Sequence, residues 1–405
     1  MFKQRKPLVL SLSIAVLGIL LVAAAFFGFI NPAITHAGGI GDSGIKIGQN
    51  NNNGNNRNQY HAATTIGGLN SVSAVASTMF VVDANGRTIT TDANPYGIAI
   101  VPRSASKMPG GLRPGDLVVT NFGANQTGKT IVSIPNKQGP AHLLNTTMDK
   151  GTNGPADLAF NTMTGTSWVA NTSGNNIQAF NANGKVVATI TSPLFNMPWG
   201  QAFNWGVHNP NDGAVASFFS SNAADATIDR IDLVPTSTGA FTFKVFQIGQ
   251  LAHTGKQTFI ALTWVPSLRV GDDHYSDVLL AADTVNNRIA AYPNSSSHHT
   301  LNTRSVNQGF TVFKGMPLQG PVGLAISPTT GHLLVANSQK NDIVELNLAT
   351  HRVEGDVLVD NVPVDAQSGN GSALFGIVAA VGKQGDLEVY FTDDNTNTVN
   401  VLHRS

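Results

Sequence analysis

Five short apolar runs in this chain end on a side chain that could hold a cation. Leu117 to Thr120 is followed by Asn121, Trp168 to Ala170 by Asn171, Leu279 to Ala282 by Asp283, Leu333 to Ala336 by Asn337, and Val389 to Thr392 by Asp393. Carboxylate and amide oxygens are the donors that Ca²⁺ prefers, so a ring of such residues is a candidate metal site. The same residue types also brace turns by bonding nearby backbone. One residue type recurring at one place in each copy argues for the turn role, because a binding site breaks symmetry. Trp199, Phe203 and Trp205 form a second candidate, for ligand binding. Exposed aromatics there would stack on a sugar or another apolar ligand, whereas buried ones would pack between neighbouring elements.

Other chemistries find little support. The chain has no cysteine, which removes disulfides, thiolate metal sites and Cys nucleophiles. His142, His208, His253 and the pair His298-His299 are placed in loops, at no spacing that would fix two of them on one element as zinc ligands. No nucleophile elbow is present, and no Gly-rich loop leads into a helix to cradle phosphate. Charged residues make up 12% of the chain and the formal net charge is zero, so the basic footprint of a nucleic-acid binder is missing. No catalytic constellation is apparent.

The elements that must position these residues come in copies. Each copy opens with a small residue or Pro, then a Gly or small residue, then an apolar run. A second apolar run ends in Asn or Asp, and a polar turn leads to a third. The openings are Pro95-Tyr96-Gly97-Ile98, Pro155-Ala156-Asp157-Leu158, Pro198-Trp199-Gly200-Gln201, Phe259-Ile260-Ala261-Leu262, Pro321-Val322-Gly323-Leu324 and Leu374-Phe375-Gly376-Ile377. A further β-rich run follows most copies: Lys185 to Ile190, Phe241 to Ile248, Phe310 to Phe313 and Val353 to Val359. Four strands per copy, repeating every ~43 to 62 residues, is the size of a propeller blade with its loops. The expected fold is all-β, a six-bladed β-propeller with four-stranded blades.

The sixth copy has no room for a fourth strand before Ser405. A surplus β-segment, Thr78 to Val82 and Thr88 to Thr90 around an Asn85-Gly86 turn, stands at the other end. This N-terminal strand is expected to pair with the last blade, close the ring and remove an open edge. In such a ring the inner strands are covered on both faces, which explains near-continuous apolar runs.

The stretches Val169-Ala170-Asn171-Thr172-Ser173-Gly174-Asn175-Asn176-Ile177, Ala281 to Ile289 and Val335 to Ile343 resemble NHL repeats. In that family a V-A-D-x-x-N-x-R-I stretch forms the second and third strands of a blade, and the resemblance runs from about Pro95 to Leu402. More distantly the chain is similar to gluconolactonase and regucalcin propellers. That likeness implies a divalent cation held by a Glu, two Asn and an Asp for lactone hydrolysis. Asn121, Asn171 and Asp283 are the counterparts of three ligands, but the first Glu of the chain is Glu345, so the family's first-blade Glu has none.

Lys3, Arg5 and Lys6 precede an apolar run from Leu8 to Ile30. A cationic start before a hydrophobic stretch is an export signal. The run is also long enough to span a bilayer, and Thr35-His36-Ala37 offers small residues for cleavage. Residues 1–37 are therefore a signal peptide or an N-terminal membrane anchor. Residues 38–76, with an Asn/Gly tract from Gly48 to Gln59, are expected to be a disordered tether. Residues 77–405 are the expected propeller. The functional expectation is an exported, non-catalytic binding module, secreted or held outside the cytoplasmic membrane. Its partner would be a protein, glycan or small molecule at the channel mouth. The alternative is a divalent-cation-dependent, lactonase-like hydrolase.

Overall fold

The computed structural model describes residues 65–107, 111–145, 149–204, 213–237, 241–296, 307–365 and 369–405. The apolar run from Leu8 to Ile30, the Asn-rich tract, Trp205, His208, His298 and His299 lie outside these residues. Among the described residues no helix is long and apolar enough to cross a membrane.

Six antiparallel blades stand around one axis, each beginning with its innermost strand. Blade one starts with Pro95–Ile100, blade two with Pro155–Phe160 and blade three with Pro198–Asn204. Blades four, five and six start with Leu262–Val270, Pro321–Ile326 and Leu374–Val381. These six strands touch their neighbours in cyclic order, with the sixth against the first. The chain is a six-bladed β-propeller.

The second and third strands of blades one, two and five are buried along nearly their whole length, as Leu117–Asn121, Asn176–Phe180 and Leu333–Asn337 illustrate. Each is packed between two sheets, so both faces must be apolar or hydrogen-bonded. The core is correspondingly divided into layers between blades. Leu280, Val312, Leu324, Val335 and Val344 fill the layer between blades four and five. Val118, Ile131, Leu158, Val169 and Phe180 fill that between blades one and two.

Ring closure uses a different strand from the one expected. Ser71–Ser77 pairs antiparallel with Thr398–His403, from Ser71 opposite His403 to Ser77 opposite Thr398. It is the outermost strand of blade six, so the propeller begins before Ser77. The hairpin Phe80–Val82 with Thr88–Thr90 instead extends the rim of blade one, where Val82 pairs parallel with His142. The closing strand reads Ser-Val-Ser-Ala-Val-Ala-Ser, small residues whose alternation has little apolar amplitude. Its pattern is weak because an outer strand has little to bury.

Candidate functional site

The Asn/Asp ring is real as a repeat, and each member is used by its own turn. Asn171 donates through Nδ2 to Asn176 Oδ1 (3.0 Å) and Gln178 Oε1 (3.1 Å). Asn337 donates to Asp342 Oδ1 (2.8 Å) and accepts from the Gln319 amide (3.0 Å). Asp283 accepts from Arg288 Nε at 2.9 Å, and Asp393 from the Thr396 amide and Asn400 Nδ2, both at 3.0 Å. Asn121 donates to the Thr78 carbonyl (3.0 Å) and to Thr130 Oγ1 (3.3 Å). A sixth member, Asn222, was not singled out in the sequence; it donates to Asp229 Oδ2 (2.7 Å) and Thr227 Oγ1 (2.9 Å). All six side chains are buried. Among the described residues no three His, Cys, Asp or Glu side chains converge as a metal site. His142 lies in a short outer strand and His253 in an exposed loop.

Hydroxyls beside this ring tie one blade to the next. Thr120 accepts from the Gly97 amide (2.9 Å) and donates to the carbonyl of Ala156 in blade two. Ser221 accepts from Gly200 and donates to Ile260 (2.8 and 2.7 Å). Thr392 accepts from Gly376 and donates to Tyr96 (2.9 and 3.1 Å). A Cβ at Gly97 would lie 2.6 Å from the Ala156 carbonyl and 2.7 Å from the Asp157 Cα, so this opening needs glycine to let adjacent backbones meet.

The residue before that position points aromatic rings at the mouth. Tyr96 stacks on Phe375 with ring centroids 3.9 Å apart and on Phe122 at 4.6 Å. Trp199 packs on Phe259 at 4.2 Å and edge-on to Phe122 at 5.2 Å. Together with Ala156, Ala223 and Met197 these rings form one cluster drawn from five blades. Trp199 is therefore the centre of an aromatic mouth, at 4% exposure. Phe203, four residues along the same strand, packs instead on Phe218 at 4.7 Å and is 8% exposed. Neither is an exposed aromatic platform, since both side chains are buried. The strand's register shifts between Pro198 and Gln201.

Tyr96, Trp199 and Phe375 also line a central cavity of 240 Å³, with Ile98, Leu158, Phe203, Leu262, Leu324 and Ile377 among its walls. Asp157 is the carboxylate in that lining. It stands at the third position of its opening, where four other blades have Gly97, Gly200, Gly323 and Gly376. It is the one charged residue at that position, blade four having Ala261, and it was legible in the sequence. Its oxygens accept from the amides of Leu158 (2.8 Å) and Gln201 (2.9 Å). Burial raises its pKa to about 7 in spite of those two donors. Gln201, also in the lining, is 3% exposed and its Oε1 has no hydrogen-bond partner. At the mouth, Asp394 has a buried Oδ1 without a partner. Burial, and then the charge of Asp393, pushes its pKa up to about 6. Burial raises the Tyr96 phenol, and the Asp394 charge raises it further.

No protein-family model matches the chain, and no curated protein matches it. Solved structures do. A protein of unknown function from Bacteroides thetaiotaomicron is 11% identical, with 82% of this chain and 74% of that one covered and a TM-score of 0.50. A catalytically inactive virginiamycin B lyase from Staphylococcus aureus, with quinupristin, is 15% identical over 83% of this chain and 99% of that one, at a TM-score of 0.45. A chain of the nidogen/laminin complex is 12% identical over 76% and 97%, at 0.44. The likeness is one of fold.

Proposed function

We propose that this chain is an exported, NHL-like propeller that acts as a non-catalytic binding module and takes a small ligand at the mouth of its central channel. The observation that carries this reading is the aromatic mouth of Tyr96, Phe122, Trp199, Phe259 and Phe375 above a cavity lined by one carboxylate. A concave, mostly apolar site with a few polar groups is the usual form of a ligand pocket. The hydrogen-bonded Asn/Asp ring supports a structural role for those residues. The acceptors left over among the asparagines of blades one and two are the neutral Oδ1 atoms of Asn121 and Asn171, and a dication held without carboxylates is held weakly. The cationic start and apolar run of residues 1–37 support export, with the propeller secreted or anchored outside the cytoplasmic membrane.

A thermal-melt screen of small molecules tests the binding reading, since any ligand of the folded state raises the melting temperature. A true ligand stabilises the wild type and loses that effect in Trp199→Ala. Stabilisation that survives both Trp199→Ala and Phe375→Ala would put the site elsewhere and end this proposal. Fractionation of a reporter fused to residues 1–37, with mass spectrometry of the mature N-terminus, tests export and separates cleavage from anchoring. A reporter retained in the cytoplasm would refute the location.

A further inference from the structure

We infer that the ligand class of the channel is a protonated amine on an apolar body, its N–H groups donated to Asp157 and Gln201 and its body laid against the aromatic mouth. This rests on the binding reading above and adds the chemistry of the guest.

The lining has acceptors and a negative charge but no cation: it holds no Lys, Arg or His. Asp157 receives two backbone N–H groups, which fix its orientation but supply no countercharge. Gln201 spends its amide hydrogens on the Gly200 carbonyl (3.2 Å) and Ser220 Oγ (2.7 Å), leaving Oε1 free to accept. A half-buried carboxylate and a buried orphan acceptor are both costly unless a donor arrives. Tyr96, Trp199 and Phe375 pack on one another and on Phe122 and Phe259, and where they line the cavity they offer an apolar wall to the body of the guest. Asp394, near enough to Tyr96 for its charge to raise the phenol, adds a second negative charge close to the aromatic rings. An anionic guest would add like charge to these groups, and a neutral one could donate to Gln201 but would leave the charge of Asp157 unpaired.

A purely structural Asp157 explains the two backbone bonds, since Gln201 belongs to blade three and the bond joins two blades. It does not explain why the bridging residue is ionisable, is placed in the lumen, and occupies a position given to glycine in four other blades. The cavity volume of 240 Å³ suits a small monoamine.

Calorimetric titration of the full chain with three isosteric probes decides the matter: phenethylamine, 2-phenylethanol and phenylacetate. At about pH 8 the amine should bind about tenfold or more tightly than the alcohol, and the acid least. Titratable groups facing the guest are Asp157 and Tyr96 in the lining and Asp394 at the mouth. Lowering the pH to about 5.5 protonates Asp157 and should weaken amine binding about tenfold, with proton release on binding seen as a buffer-dependent enthalpy. Asp157→Asn should abolish the preference for amine over alcohol. The wild-type pH series stands without any variant.

Equal binding of amine and alcohol, an unchanged preference in Asp157→Asn, or binding of none of the three probes overturns the inference. Alcohol binding as tight as that of the amine, and lost in Trp199→Ala, would sink the amine assignment and leave the channel-mouth reading intact. The wider melt screen decides that reading separately.

Discussion

The backbone N–H of Ile66 donates to Glu345 Oε2 at 2.6 Å, joining positions 279 residues apart. Glu345 is fully buried in blade five and also accepts from Thr330 Oγ1 and pairs with His332 Nδ1, both at 2.8 Å. Ile66 and Leu69 are buried with Leu334, Ile343 and Leu374 between blades five and six. The segment leading to the closing strand is thus fastened by one carboxylate and two apolar side chains. Removing that carboxylate leaves a buried amide and a histidine without their partner. Glu345→Ala should cost about 3 kcal/mol in urea unfolding, and the Ile66 amide should lose its protection from hydrogen exchange. A loss below about 0.5 kcal/mol would mean that the fastening contributes nothing.

Two desolvated carboxyls, one buried and one half-buried, make stability depend on pH. Asp157 and Asp229 are raised to about 7 and about 8, in both cases chiefly by burial. Unfolded, both ionise near pH 4. Between those values the native state holds more protons than the unfolded chain, so the contribution is full below about pH 4 and lost as pH rises through 7 and 8. The melting temperatures of Asp157→Asn and Asp229→Asn, relative to wild type, should therefore move in favour of the variants from about pH 4 to about pH 9. A constant offset across that range would contradict the raised values.

Gly97 and Gly111 make a matched pair. A methyl at Gly97 meets backbone of blade two and Thr120 Oγ1 within 2.8 Å, whereas the nearest atom to a methyl at Gly111 is 3.9 Å away. Backbone cannot yield as a flexible side chain does. Gly97→Ala should destabilise by about 2 kcal/mol, and Gly111→Ala should lie within about 0.5 kcal/mol of wild type. Equal effects would show that the innermost strands have room to spare.

The Asn/Asp ring gives a metal test. If these residues brace turns, Asn171→Ala and Asn337→Ala each cost about 1 to 2 kcal/mol by leaving buried partners unpaired. Neither Ca²⁺ nor a chelator should then move the wild-type melting temperature. A calcium-dependent rise that vanishes in Asn171→Ala would restore the metal reading and, with it, the hydrolase.

The number of blades, their four-strand plan and the turn residues were legible because each is written several times over in apolar runs of similar spacing. Outer strands were read closely too: Lys185 to Ile190 became Val186–Ile190, and Val353 to Val359 became Arg352–Leu358. The closing strand was misplaced because Phe80–Val82 has the stronger apolar signal, although it lies on an outer rim where Phe80 is 58% exposed. Trp199 and Phe203, grouped from their closeness in sequence, both line the cavity, Trp199 within the aromatic cluster and Phe203 against Phe218. Much of the aromatic cluster was in the sequence, in the second position of three openings: Tyr96, Trp199 and Phe375. Reading the copies for their common residues drew attention away from the column where they differ. Asp157 was overlooked for the same reason.

Pairing Ser71 with His403 has a consequence for biosynthesis. A ribosome must travel 332 codons past the first partner before the second exists. Until then Ser71–Ser77 has no mate, and a chain with five finished sheets still presents a raw seam at each side of the gap. Whatever escorts the nascent polypeptide has to keep that seam from finding another molecule's strand. Late stop codons should therefore be far more damaging than their small loss of mass suggests.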